Sequence, residues 1–380
     1  MTEKLFYKDS HLREFRGNVL QCEIDGDNYK VVLDRTAFFP EGGGQTADKG
    51  TIDEIEVLDV REQSETIYHV VKEPIEIGKE IVGSIEWKDR FSKMQQHTGE
   101  HIVSGIIHKK FGYDNIGFHL GSEEVTMDFN GTITKEQLQD IEYEANEAVF
   151  RNILVEVDCP DKEALISMNY RSKIEIEGQV RIVTISGCDV CACCAPHVHN
   201  TGEIGLIKLI DLQNYKKGVR ISMVCGLRAL QNYQIKEKNT KEISILLSAK
   251  EALIADAVIR LKEENAGMKI KLANLQQEIF KMKIAKIPNQ HVVCLFEEIL
   301  EGSGPRELVN MLMEKQVDIG AVFVGNEIDG FRYVIGSKTE DVRGFAKMFN
   351  EKFAGRGGGK QEMVQGSLIG TKEAITRCFE

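Results

Sequence analysis

His97-Thr98-Gly99-Glu100-His101 and, about ninety residues later, Cys193-Cys194-Ala195-Pro196-His197 each set two metal-binding side chains four residues apart. On a helix that spacing stacks two side chains on one face, one turn apart. Imidazole and thiolate are donors that suit Zn²⁺. Two separated pairs are the form of a site assembled by folding, so the sequence predicts a metal centre.

The elements carrying the two pairs differ. From Asp89 to Lys110, Phe91, Met94, Ile102 and Ile106 recur at helical spacing, with Asp89 as a cap and Gly112 as the stop. His97 and His101 then sit mid-helix. Cys193 follows a strand-like run, Gln179–Ile185, in a stretch containing Gly187 and Pro196, and reads as a loop at a strand end.

The chain has 380 residues, enough for two or three domains, and 42% hydrophobic content, ordinary for a soluble globular protein. No apolar run is long enough to span a membrane, and the first residues lack the apolar core of a signal peptide, so a cytoplasmic location is expected. Nine cysteines there imply thiols or ligands rather than disulfides, and four of them (Cys188, Cys191, Cys193, Cys194) are clustered. A net charge of −12 argues against binding nucleic acid over the whole surface. Residues 331–360 are a local exception, with seven cationic against three anionic side chains, a net +4.

An α+β fold is expected, without a regular βαβ repeat. Residues 1–85 read as a β-rich, barrel-like subdomain, with a hairpin turning at Asp25–Asn28. Residues 86–240 alternate helices and strands, including a helix from a Thr134/Gln137 capping box to Val149 and a strand over Ile204–Ile210. Over 241–287, Leu247, Ile254, Leu261, Met268, Leu275 and Met282 recur every seventh residue. Glu251, Val258, Asn265, Leu272 and Ile279 interleave. This predicts one long helix and a coiled-coil homodimer through 241–285. Residues 288–380 read as an α/β domain, in which Gly355–Lys360 forms a glycine-rich loop or turn ahead of a last helix at Thr371–Cys378.

Three segments carry a resemblance: Leu33–Gln45 with Gly42-Gly43-Gly44-Gln45, Trp87–His101 with its histidine pair, and Cys193–His197 running into Thr201–Gly205. Together they resemble the AlaX-type alanyl-tRNA editing proteins, long form, and the editing domain of alanyl-tRNA synthetase. Residues 288–380 resemble the DHH-associated domain that ends that synthetase. The aminoacylation domain has no counterpart among these motifs. The resemblance implies a freestanding, ATP-independent deacylase of mischarged tRNA for alanine, seryl- and possibly glycyl-tRNA, serving translation fidelity. It implies Zn²⁺ at His97, His101, Cys193 and His197. It implies Thr98 and Gln45 as catalytic residues, and Gly42, Gly43, Gly44, Arg356 and Lys360 as substrate-binding residues. Cys188, Cys191, Cys194 and His199 stand close enough in sequence to compete as ligands.

Two other functions fit parts of the pattern. His97-x-x-Glu100-His101 matches the inverted zincin motif, whose glutamate is a general base, although such a site normally takes a carboxylate as third ligand. A zinc-stabilised RNA-binding protein without enzymatic activity is the other.

Overall fold

A computed structural model of the chain describes residues 1–172, 180–288 and 290–380. Gln179, expected to open a strand, lies outside them. The architecture is mixed α+β, in two compact units, Met1–Glu242 and Ile243–Glu380.

The first unit opens with strands β1 (Glu14–Asp25), β2 (Asn28–Leu33), β3 (Gly50–Ile52), β4 (Ile55–Gln63), β5 (Thr66–Val71) and β6 (Glu80–Ile85). They pair in the order β1-β2-β5-β4-β3-β6, and β6 returns to β1, closing a barrel. The β1–β2 hairpin turns where Asp25 pairs with Asn28. Alternate residues fill the interior, among them Phe15, Val19, Leu33, Val57 and Ile81.

His69 on β5 is a buried polar residue of that interior. Its Nδ1–H donates to the Val31 carbonyl at 3.1 Å. Its Nε2 therefore accepts from the Thr36 hydroxyl at 2.8 Å, and Thr36 Oγ1 in turn accepts from Phe38 N–H. The ring is locked neutral, and burial pushes its pKa down to about 4.

Helix α1 (Trp87–Phe111) follows the barrel. It starts two residues earlier than the sequence suggested. Glu86 is the capping position without a side-chain bond, and Asp89 lies in the first turn, paired to Lys93. Gly112, at φ 70°, ends it as expected. Every residue from Lys93 to Ile107 is buried, so α1 is a central element rather than an amphipathic surface helix. Around it lie β7 (Asn115–Leu120), β8 (Val125–Phe129), α2 (Lys135–Phe150), β9 (Val155–Asp158), β10 (Ile182–Ile185), β11 (Asp189–Ala192), β12 (Ile207–Tyr215) and β13 (Gly218–Cys225). They form the sheets β12-β13-β8-β7 and β9-β10-β11. The Thr134/Gln137 capping box opens α2. The strand expected from Ile204 begins at Ile207, because Thr201–Ile204 forms a 3₁₀ turn capped by Asn200 and Glu203.

The single helix expected over 241–285 is two helices, α3 (Gly226–Leu246) and α4 (Ile254–Ala285). Ser248 takes φ 48°, Ser248 N–H bonds the Ile245 carbonyl, and Ala249 N–H bonds that of Ser244. This is the two-bond helix stop usually built on glycine. Leu247 and Glu251 thus fall outside α4. Along α4, Leu261, Met268, Leu272, Leu275, Ile279 and Met282 are exposed, whereas Phe280 and Ile284 are buried.

The second unit continues with β14 (Val292–Glu297), α5 (Gly304–Glu314), β15 (Ile319–Asn326), β16 (Gly330–Ser337), α6 (Arg343–Lys352), β17 (Arg356–Lys360), β18 (Met363–Leu368) and α7 (Lys372–Thr376). Its sheet runs β14-β15-β16-β18-β17. Side chains alternate between two cores: Ala321 and Phe323 meet α6 and α7, while Val322 and Val324 meet α5 and the end of α4. The glycine-rich Arg356–Lys360 is therefore an edge strand, paired throughout with β18, rather than a loop.

His69 makes stability depend on pH. The unfolded chain protonates this ring near its ordinary value, the folded barrel only near 4, so its contribution is full above about pH 6.5 and falls as pH drops toward 4. The expected loss is on the order of 3 kcal/mol. Urea unfolding of the parent and His69→Gln between pH 7 and 4.5 should show the steeper decline in the parent.

Candidate metal centre

The four predicted donors come together. His97, His101, Cys193 and His197 offer ligand atoms that all lie within 4.8 Å of one another. Cys193 Sγ is 3.5 Å from His97 Nε2 and 3.4 Å from His197 Nε2. The histidine pair lies mid-α1, as the sequence implied; Cys193 is at a strand end, but the strand is β11, formed within the stretch read as loop after Ile185.

Each histidine is oriented through its far nitrogen. His97 Nδ1–H donates to Gln45 Oε1 at 3.2 Å, His197 Nδ1–H to Thr98 Oγ1 at 3.0 Å, and His101 Nδ1–H to Asp189 Oδ2 at 2.9 Å. That leaves Nε2 of each ring for the centre, the arrangement in which outer hydrogen bonds fix tautomer and ring angle. Thr98 Oγ1 also accepts from Val198 N–H, so it stands behind His197. Arg171 grips the other side of Asp189 with two hydrogen bonds.

Charge follows the geometry. Burial raises the Cys193 thiol, but His97 and His197 beside it, with His101, carry it well below the usual thiol range. Burial lowers His101, yet the bond to Asp189 and the contact with Cys193 hold it well above the usual histidine value. Burial pushes His197 down to about 3. A thiolate among imidazoles is a donor set that attracts a borderline-soft dication.

Of the competing ligands, only Cys191 shares a neighbour with this group. Cys191 clusters with His101 and Asp189, and burial raises its thiol. His199 clusters with Asp9 and His11. Cys188 and Cys194 fall in neither group. Glu100, the base in a zincin reading, is buried, and its Oε1 accepts from Ser104 and Asn115.

The glycine loop is held over His97. Gly42 and Gln45 exchange backbone hydrogen bonds at 3.0 Å, and Gly43 and Gly44 both take positive φ, 60° and 80°. A side chain at 44 would meet Phe118 at 2.6 Å, so both backbone angle and space demand glycine there. The loop is closed at its base, where Asp48 N–H reaches the Phe39 carbonyl and Phe39 N–H reaches Asp48 Oδ2. Arg90 in the first turn of α1 clamps Asp48 and also donates to the Ala37 and Ser10 carbonyls. Both side chains of the pair are fully buried. Lys93, one turn on, donates to the Ala47 carbonyl. On the ligand loop, Arg181 donates to the carbonyls of Cys193 and Ala195. Arg356 and Lys360 belong to the second unit, on β17 with exposed side chains.

Residues 180–222 match the family model for the threonyl and alanyl tRNA synthetase second additional domain, and residues 5–89 that for tRNA synthetases class II (A). The alanyl-tRNA editing protein AlaX-L of Pyrococcus horikoshii is 28% identical, over 99% of this chain and 96% of that protein. The alanyl-tRNA editing protein Aarsd1 of Rattus norvegicus is 26% identical, over 95% and 93%. The chain belongs to the alanyl-tRNA editing family. The alanine–tRNA ligase of Pyrobaculum neutrophilum is 31% identical over the whole chain, which spans 44% of that ligase. The chain thus covers nearly the full length of its freestanding editing relatives and less than half of the ligase. The second-additional-domain match contains Cys193 and His197, and the class II match contains the glycine loop.

Asp48, Asp189 and Arg181 escaped the sequence reading. Each acts on a group distant along the chain or on a carbonyl, and no local spacing marks them. Arg90→Met would strand the Asp48 carboxylate, and the expected cost is about 3–5 kcal/mol. Urea unfolding should show that loss, and adding Asp48→Asn should recover part of it.

Proposed function

We propose that this chain hydrolyses the ester between serine, or glycine, and tRNA for alanine, at a Zn²⁺ centre held by His97, His101, Cys193 and His197. The donor set supports zinc. A tetrahedral zinc site sets thiolate and imidazole donors about 3.6 Å apart, and Cys193 Sγ lies 3.5 and 3.4 Å from Nε2 of His97 and His197. When bound, the ion would supply Lewis-acid contact to polar groups of the substrate.

The observation that carries the reading is Gln45. Its Oε1 is taken by His97, whereas its Nε2 is buried without a hydrogen-bond partner among the described residues. A buried amide donor beside the donor cluster is costly unless an acceptor arrives. We assign that acceptor to the substrate, with Gln45 aligning the ester and Gly42, Gly43 and Gly44 leaving the backbone open to the amino acid or terminal ribose. Thr98 then acts through His197 as a positioning residue. Editing by hydrolysis answers a discrimination that binding alone achieves poorly, since a pocket for alanine cannot strongly reject an added hydroxyl. The engagement of Glu100 Oε1 by Ser104 and Asn115 supports a structural part for that carboxylate rather than that of a general base in a protease. Among the described residues no helix is long and apolar enough to cross a membrane, and we place the activity in the cytoplasm.

We read the parts as a β-rich subdomain (1–85), the editing domain (86–240), a helical segment (241–287) and a DHH-associated-like domain (288–380). The exposed apolar stripe of α4 supports a homodimer through this segment, and Arg356 and Lys360 on β17 support contact with the tRNA backbone.

Two experiments test these assignments. Zinc-loaded protein should release serine from seryl-tRNA for alanine, spare alanyl-tRNA, leave casein intact and lose activity with chelator. Gln45→Ala should slow release about 10²-fold with zinc content retained; unchanged release rejects the role of Gln45. Separately, Leu261→Glu with Leu275→Glu should convert a dimer to a monomer by sedimentation while deacylation continues. A parent protein that sediments as a monomer rejects the dimer.

A further inference from the structure

A second group of donors lies on the first unit, apart from the four already described. Asp9, His11 and His199 offer ligand atoms within 4.8 Å of one another. The His11 and His199 rings stack at 3.7 Å between centroids, with planes 27° apart. His199 Nε2 is 3.3 Å from Asp9 Oδ1, and His11 Nε2 is 2.6 Å from Glu203 Oε2. Two imidazoles and the Asp9 carboxylate therefore converge, and the Glu203 carboxylate stands behind His11. Among the described residues neither carboxylate is ion-paired with a lysine or arginine; each faces one of the two histidines.

The group is built on anchored backbone. Ser10, between Asp9 and His11, donates to the His197 carbonyl at 2.7 Å, and its own carbonyl accepts from Arg90. His11 N–H donates to Asp9 Oδ1 at 2.8 Å. Glu203 is fixed by the cap it makes with Asn200 N–H. These bonds hold the donors together without using the Nε2 atom of His199 for any neutral partner.

We propose that Asp9, His11 and His199, with Glu203 orienting the His11 ring, form a second divalent transition-metal site. Mixed imidazole and carboxylate donors without sulfur suit Zn²⁺, Co²⁺ or Ni²⁺. A carboxylate with no lysine or arginine partner among the described residues makes a cation the matching charge, and imidazoles supply the nitrogen lone pairs. Partial exposure makes this the weaker of two sites. Ser10, between two of the donors, bonds the His197 carbonyl, so an ion here would sit beside the editing centre without sharing a ligand with it.

The test is titration of metal-free full-length protein with Co²⁺, followed by calorimetry and visible absorption. Two equivalents are expected. One shows the sulfur-to-cobalt charge-transfer band required by Cys193, and the other shows ligand-field bands alone. His199→Asn should remove the second equivalent and leave the charge-transfer band unchanged. Asp9→Asn, which alters only an exposed carboxylate, should weaken the second equivalent at least tenfold. Binding of a single equivalent by the parent overturns the proposal, as does a second equivalent retained in both variants. Failure of the editing centre would instead remove the charge-transfer band, so the two assignments fail separately.

Discussion

Arg90 and Asp48 form the contact on which the site depends. Both side chains are excluded from water, and such a pair persists only when every lone pair and N–H is used. Here the carboxylate takes the guanidinium and the Phe39 amide, while the guanidinium also takes two carbonyls. The pair joins the first turn of α1 to the base of the glycine loop. His97 lies seven residues beyond Arg90, two turns along the same face. The clamp thus sets Gln45 over His97, and an error at the base would move the amide off the ring.

The centre itself repeats this logic one layer out. Three histidines converge because three different groups hold their Nδ1 atoms: an amide on the barrel loop, a hydroxyl on α1, and a carboxylate at the start of β11. These come from separate elements, so the geometry exists only in the assembled unit. The bonds also hold each ring's Nε2 toward one point, and the imidazoles gathered there lower the thiol of Cys193.

What the sequence revealed depended on how local the physics was. The donor pairs were legible because helix pitch and loop spacing place them, and β-hairpins and the α2 capping box carry their signals within a few residues. The break between α3 and α4 was not legible, because Ser248 occupies a left-handed position where glycine would have marked it. The Gly357–Gly359 run misled in the opposite sense. It reads as a loop, yet it is an edge strand in which a side chain at 357 would meet Tyr333 Oη at 2.1 Å. Asp48, Arg181 and Asp189 do their work across long separations, and nothing beside them in sequence distinguishes them from surface charges.

Zinc-edge X-ray absorption on the purified, untagged protein tests the central claim most directly. The expected spectrum of an ion at the editing centre has one sulfur at about 2.3 Å and three nitrogens at about 2.0–2.1 Å, and the sulfur shell is lost in Cys193→Ala. A shell of several sulfurs, or a sulfur that survives that substitution, would place the metal on the neighbouring cysteines and contradict the account.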